Sequence, residues 1–392
     1  MIVKTSVFII LMGISMLLSS CERTVLDSDM GSAETPLTKF SHPGCLFNNA
    51  DLERIKAQVR SGKQPWASAY SYFKGITDET LDKEIIAYNI VYRGDPPFTD
   101  SWFAFSRDSE IAYHCALMWN ITGDEKYAKK SIEILNAWTK TQTKFTSEDA
   151  MLVVSWCGFF YVNAAEIMRY TYPKWSQADI KQAEEYFINV LYPVIEPFFW
   201  GRSHNWTTSI IKSMIAFGIF TERTDIFYRG YDALKGVNNG GQGGSITNYI
   251  YDTGQAYESA RDQVHAQMGI AGLVQASEVL LKQNIDMYGF ANNRLLLGVE
   301  YTAKYNLGYD DIPTPFYSNG HGSVISNVSR GTLHFYYEMV YNHYKWRKGL
   351  TENSLKYTKA AFDKNREGLP TEFGNPAMTG YGTLLHNEAP YK

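Results

Sequence analysis

Apolar residues recur at helical spacing along almost the whole of this 392-residue chain, and clear alternating strand patterns are almost absent. Leu52, Ile55 and Val59 follow Asn48 and Asn49 and stop at Gly62. Ser106 is placed to cap a helix through Ala112, Leu117 and Trp119, and Thr122-Gly123-Asp124 turns the chain into a second over 127–138. An apolar helix is predicted over 151–170, and Ser176 with Asp179 makes a capping-box-like start for the next, which reaches Val194. Further helices are predicted over 206–220, 226–237, 257–283, 291–306, 331–345 and 354–363. Stripes of this period are buried by packing helix on helix, so the pattern predicts an all-α fold of helical hairpins arranged as a ring or solenoid. No repeat is strict enough for a helical-repeat array. Neither a linker nor a low-complexity break interrupts 41–392, which predicts one domain there.

The N-terminus predicts export. Lys4 precedes an apolar run over 7–18, which is too short to span a bilayer and ends in Leu18-Ser19-Ser20-Cys21. That ending resembles a bacterial lipobox, which implies a signal peptide over 1–20, cleavage before Cys21 and lipid on its sulfur. An ordinary signal peptide with a coincidental cysteine is the alternative. Residues 21–40 then read as a lipidated cysteine and flexible tether. The expected location is the bacterial envelope, at the outer membrane or facing the periplasm, with membrane contact only through the anchor. Cys45, Cys115 and Cys157 are scattered and form no C-x-x-C pair, which argues against a disulfide scaffold and a cysteine zinc site. A net charge of −4 and a pI near 6.1 argue against nucleic acid as partner. The 28 Tyr and 9 Trp offer flat apolar faces with polar edges, which suits sugar rings, although most of them serve a large core.

Chemistry concentrates in Glu258-Ser259-Ala260-Arg261-Asp262-Gln263-Val264-His265. On one long helix over 257–283, Glu258, Arg261, Asp262 and His265 share a face that Gly269 and Gly272 continue. A solvated face of ion pairs explains the charges but not the glycines, which cost about 1 kcal/mol each in a helix interior. The stripe therefore predicts a surface that something lies close against. Two long irregular segments, 238–255 and 308–330, are expected to rim a cleft there. Arg202-Ser203-His204-Asn205-Trp206 opens an apolar helix. Asn205 there has an amide suited to a carboxylate, beside free N–H groups, and it is equally suited to capping the helix. Trp206 is placed to stack on a sugar.

The His-Asn-Trp helix start and the Glu-Ser-x-Arg-Asp-x-x-His stretch are followed by Asn292-Asn293-Arg294-Leu295-Leu296 and Glu300-Tyr301-Thr302-Ala303-Lys304-Tyr305-Asn306-Leu307-Gly308. Together with the opening His42-Pro43-Gly44 and Leu52-Glu53-Arg54-Ile55, they resemble the alginate-lyase-like domain family of polysaccharide lyases, and within it family 38, from about residue 41 onward. The resemblance implies an incomplete (α/α) toroid that cleaves uronic-acid polymers by β-elimination without a redox cofactor. Alginate is the implied substrate, with glucuronan as a further one. A monomer acting on an anionic polysaccharide is expected.

Elimination removes the C5 proton beside the uronate carboxylate, so that carboxylate must be neutralised as charge develops. A base must reach C5–H, and an acid must protonate the leaving oxygen. Asn205, His204 and Arg261 have the chemistry to neutralise, and His265 has the pKa range of a base. Relatives often carry a Tyr near the position of Val264 or His265. Here the tyrosine must come from elsewhere, with Tyr305, Tyr257 and Tyr317 as candidates in that order. Trp206, Tyr257, Glu258, Tyr317 and Arg330 are expected to contact substrate. Glu258 and Asp262 are expected to orient Arg261 and His265. They fit poorly as a glycosidase pair, since both lie on one side of the bond. His265, Asp262 and His321 show no spacing that compels a metal. The rival readings are an (α/α)-barrel glycoside hydrolase on uronate oligomers and a non-catalytic glycan-binding lipoprotein.

Overall fold

The computed structural model describes residues 37–94, 100–197, 204–237, 244–314, 322–367 and 377–390. Cys21 with its leader, residues 22–36 of the expected tether, Arg202, Ser203, Tyr317 and His321 lie outside the described residues; residues 37–40, also expected in the tether, are described, and Leu37 and Phe40 pack into the body instead. The chain from Leu37 onward forms one compact unit.

Four helical hairpins make up the body. Helices α3 (Asp100–Thr122), α5 (Ala150–Thr171), α8 (Asn205–Phe220) and α11 (Gln263–Lys282) pack side by side in that order. They are apolar on nearly all sides and form the inner layer; α5, long and apolar enough to cross a membrane, is a buried core helix. Helices α4 (Glu125–Thr141), α6 (Gln177–Tyr186), α9 (Thr224–Lys235) and α12 (Phe290–Asn306) form the outer layer. Each outer helix buries one stripe. In α4 that stripe is Tyr127, Ser131, Ile134, Leu135 and Trp138, at the spacing that puts residues on one face. The expected alternation of hairpins is therefore present. The described residues hold only one two-stranded parallel pair, β1 (Ile90–Val91) with β2 (Lys144–Phe145).

Local signals hold where caps are self-contained. Asn48 forms a full capping box with Asp51 at the start of α1 (Asn49–Arg60), and Ser176 accepts from the Asp179 N–H ahead of α6. Ser106 is not a cap: α3 already runs from Asp100, and Ser106 lies inside it with its carbonyl accepting from the Ser109 hydroxyl. Helix α2 (Trp66–Asp78) was not anticipated, and its packing of Trp66 and Phe73 into the core supplies what the pattern lacked. After the short helices α7 (Tyr192–Ile195) and α10 (Ile246–Tyr249), the C-terminal third also departs from expectation. Beyond α12, the regular α-helices among the described residues are α13 (Tyr337–Asn342), α14 (Lys356–Glu367) and α15 (Gly382–Leu385), and 331–336 is not helical.

The two ends of the described chain lace the layers together. Near the N-terminus, the amides of Gly44 and Leu46 donate to Glu166 and Asn163 of α5, and Gln283 beyond α11 donates to Ser41 and Gly44 carbonyls. Near the C-terminus, Arg54 donates to the carbonyls of Leu385 and Asn387, and Lys212 and Gln275 donate to that of Ala377.

His42 carries a titratable part of this lacing. Its Nδ1 lies 2.7 Å from Glu166 and its Nε2 2.6 Å from Glu222, under the stacked ring of Tyr170. Burial lowers its pKa, but hydrogen bonds and charge from Glu166 and then Glu222 outweigh this and leave it above 6.5. A raised folded-state pKa gives stability that is present below the unfolded value and lost as pH rises through the folded one. We therefore expect the melting temperature to fall as pH rises from about 6 to 9. His42→Ala should lower it by a few degrees at pH 6 and flatten that slope, measured by thermal melts across the range. Parallel curves for the two proteins would show that His42 is not the titrating tie.

Candidate active site

The segment that sequence places on one helix is split. Asp262 is extended (φ −170°, ψ 166°) and caps α11, its Oδ1 accepting from the His265 N–H at 2.8 Å. Tyr257 to Arg261 form turns ahead of it. The helix cannot extend backward because its main-chain groups are taken elsewhere. Ser259 O accepts from Ser326 N–H, and Gln263 N–H donates to Val328 O. Arg261, Asp262 and His265 still come together, through a cap rather than a helical face.

The glycine stripe also has a different cause. A Cβ on Gly269 would overlap the Tyr249 ring, and one on Gly272 would press on Thr208 of α8. The glycines let neighbouring elements approach α11; they do not open its surface to a ligand.

Glu258 is the centre of the constellation. It is 0% exposed, and its carboxylate accepts the Asn205 N–H at 2.8 Å and the Asn205 amide at 2.9 and 3.0 Å. It also accepts the Tyr249 hydroxyl at 3.2 Å and Arg261 Nη1 at 3.0 Å. The anion-favouring N-terminus of α8, which sequence reserved for a substrate carboxylate, thus holds an internal one. Asn205 is the first residue of that helix and not its cap, and its amide donor is committed to Glu258. His204 precedes it at φ 77°, ψ −151°, a conformation that costs a non-glycine residue about 1–3 kcal/mol. Glu258, by fixing the next residue's amide, holds His204 in place.

Around this core stand groups with freer chemistry. His265 Nδ1 lies 2.6 Å from Asp262 Oδ2, and its side chain is 31% exposed. Burial raises the Asp262 pKa, but hydrogen bonds from the His265 amide and ring outweigh it, and the carboxyl stays below its ordinary range. With Nδ1–H donating to Asp262, Nε2 carries the lone pair. The Tyr257 ring lies 4.6 Å from that of His204. Tyr305 is set apart. It is buried, its hydroxyl donates to Ser326 O at 3.3 Å, and Arg330 covers its ring at 4.1 Å. Arg330 is in turn bound to the Tyr305 and Tyr309 carbonyls and to Asp310. Trp206 is partly buried against the core. Both irregular segments reach the site, the first through Tyr249 and the second through Ser326 and Val328.

Four contributors were not foreseen. The Tyr249 hydroxyl, with a single proton, lies within hydrogen-bond distance of Glu258 and of the His265 and Ala266 carbonyls. Gln263 and Gln267 stitch α11 to 326–337: Gln263 donates to Ser326 O, Gln267 donates to Thr332 O, and Gln267 Oε1 accepts from His334 N–H and the Tyr337 hydroxyl. His334 itself is buried with neither ring nitrogen partnered among the described residues, a deficit of about 1–3 kcal/mol for each unmet group. Nothing in its run, Leu333-His334-Phe335-Tyr336-Tyr337, signals that it approaches Asp262 and His265.

An inner ring of apolar helices with a His-Asp pair, an arginine and tyrosines at one end defines an α/α-toroid polysaccharide lyase. The sequence matches the alginate lyase family model over residues 95–311, and the chain belongs to that family. No curated protein matches the chain significantly. Among solved structures it is similar to an alginate lyase from Bacteroides ovatus, at 10% identity and TM-score 0.63 over 89% of this chain and all of that one. It is also similar to alginate lyase A1-III from Sphingomonas species A1, at 14% identity and TM-score 0.56 over 86% and 95% of the two chains. A third is a His-to-Ala variant of A1-III complexed with a tetrasaccharide, at 14% identity and TM-score 0.62 over 86% and 94%.

The dependence on close packing is testable with two alanines. Gly269→Ala must displace Tyr249 from Glu258, and overpacking of this kind costs about 1–3 kcal/mol. Its melting temperature and turnover should fall together. Gly75→Ala in α2 meets only open space and should stabilise by about 0.5–1 kcal/mol with turnover unchanged. Equal melting temperatures for the two variants would overturn the packing role of Gly269.

Proposed function

We propose that this lyase cleaves alginate or a closely related polyuronate by β-elimination, with His265 as the base that removes the C5 proton. The observation that carries this reading is the 2.6 Å contact of His265 Nδ1 with Asp262, which leaves the other ring nitrogen to take a proton. Arg261, 34% exposed on its side chain, sits beside the pair and neutralises the uronate carboxylate together with His204. Tyr257, on the His204 ring, is better placed than Tyr305 to protonate the leaving oxygen, because the Tyr305 hydroxyl is spent on Ser326. Asn205 serves by positioning Glu258. Placement in family 38, the use of glucuronan, the monomeric state and lipidation at Cys21 in the bacterial envelope rest on sequence alone and belong to this proposal.

Mixing the protein with a polyuronate should raise ultraviolet absorbance, since elimination creates a conjugated 4,5-double bond. A hydrolase gives reducing ends without absorbance, and a binding protein gives neither. Carboxyl-reduced polymer should react poorly. If it is cleaved as fast as the native polymer, the elimination reading is wrong.

His265→Ala should lower kcat by roughly 10²–10⁴, the range for loss of a general acid–base group, with little change in melting temperature. Near-normal turnover would remove His265 from the mechanism. Arg261→Ala should damage both kcat and KM, because the cation binds the ground-state carboxylate and binds the more highly charged transition state more strongly.

A further inference from the structure

A second arginine stands at the end of the body that carries His265. Each inner helix is joined to the next through an outer one that returns the chain, so α3, α5, α8 and α11 all start at that end. Arg93 follows β1 there, and the Tyr92 amide just ahead of it donates to the Ser101 hydroxyl oxygen in the first turn of α3. The guanidinium carbon of Arg93 lies 5.3 Å from the ring centre of Trp102 on α3 and 5.4 Å from that of Trp156 on α5, both within the range of a cation–π contact. Trp156 in turn donates from Nε1 to the Ser209 hydroxyl at 3.2 Å. Ser209 is one turn beyond Asn205 on the same face of α8. Arg93 is thus one tryptophan and one helical turn away from the residue whose amide is bound to Glu258.

The groups around Arg93 hold it without using it up. The two indoles take the flat of the guanidinium, and Asp149 pairs with Nη1 alone. Asp149 occupies the N-cap position of α5, yet its side chain caps no amide and is turned to Arg93 instead. Nε and Nη2 make no hydrogen bond among the described residues, and the side chain is 33% exposed. Arginines that tie this chain together spend their donors on carbonyls, as Arg54 and Arg330 do. Arg93 instead keeps one edge of its fork, Nε with Nη2, open to solvent. That edge matches the two oxygens of a carboxylate with parallel hydrogen bonds.

We propose that Arg93 binds the carboxylate of a second uronate on the polymer, away from the sugar whose C5 proton goes to His265. The proposal rests on the polyuronate reading above and deepens it. The site grips the chain at two carboxylates, one neutralised for reaction by Arg261 and one held by Arg93 for affinity alone.

The test measures kcat and KM for the wild type, Arg93→Gln and Arg93→Lys on alginate and on its oligomers of defined length. On the polymer, Arg93→Gln should raise KM roughly tenfold, the effect of one charge-assisted contact, with kcat within about twofold, because binding that is equal in ground and transition states moves KM alone. The rise should shrink on oligomers too short to reach from His265 to Arg93. Arg93→Lys, which keeps the charge but not the fork, should recover part of the loss. An unchanged polymer KM in Arg93→Gln would overturn the proposal. So would a loss of the same size on every chain length, with or without a fall in melting temperature, since that is the mark of a structural role. Should the wild type bind alginate oligomers without forming unsaturated product, the elimination reading fails alone, and the ratio of Kd values between Arg93→Gln and wild type on long and short oligomers decides the role of Arg93. A wild type that binds no polyuronate overturns both.

Discussion

The buried carboxylate of Glu258 is the contact on which the rest of the site depends. Three separated pieces of chain meet on it: the start of α8 through Asn205, the short helix α10 through Tyr249, and the turn before α11 through Arg261. A carboxylate removed from water is tolerated only when its lone pairs are filled and a cation is near. Here the filling groups are a helix N-terminus, an amide, a phenol and a guanidinium, so satisfying one charge fixes the relative position of three elements. Arg261 is linked to this anion directly, and His204 through the amide of the next residue. Glu258 thus shapes the site without being exposed to a substrate.

A second buried cluster does comparable work at the opposite end of α11. Glu278 is fully buried, and although burial raises its pKa, Lys282 and Arg347 hold it well below the carboxylate range. Lys282 also reaches Asp51 of α1 at 2.9 Å, and Arg347 also pairs with Glu388. Ions so placed add little net stability over apolar packing, yet losing one partner strands the others. Their effect is to specify which ends meet. The first helix, the last inner helix and the C-terminal segment are joined there, so both ends of α11 are registered by charge while its middle is registered by glycines.

What could be read in the sequence divides along the range of the interaction. The hairpins were legible because helical stripes are local, and Asn48 and Ser176 were legible because a capping box closes within four residues. Ser106 misled because a cap-forming residue tolerated inside a helix looks the same in sequence as one at its start. Helix α2 was hidden because tertiary burial of Trp66 and Phe73 overrides a weak local pattern. The break at Asp262 was hidden because Ser326 and Val328, more than sixty residues away, take the main-chain groups that a longer helix would need. The same distance explains the site. The association of Arg261, Asp262 and His265 is local and was visible. The loss of the Asn205 amide to Glu258, the separation of Tyr305 and the arrival of His334 are set by folding and have no local mark.

The charges at the site bear on the order of events in the proposed elimination. Glu258 and Asp262 face one guanidinium, Arg261, so before reaction the fixed groups carry one net negative charge. That is an unpromising surface for a polyanion if every group kept its resting state. In the proposed mechanism, removal of the C5 proton changes this, because the proton would go to His265 and make an imidazolium against Asp262. The pair would then become electrically neutral at the moment the sugar gains its second negative charge, so that Arg261, already on the carboxylate, would act on the enolate with less opposition from Asp262. The cation that the transition state needs is in part created by the proton transfer itself. Such a site binds its ground state modestly and its transition state better, which is the condition for raising kcat rather than merely lowering KM. Asp262 is essential to that shift, because without it the imidazolium would form beside Arg261 with no counter-charge, and the two cations would oppose each other.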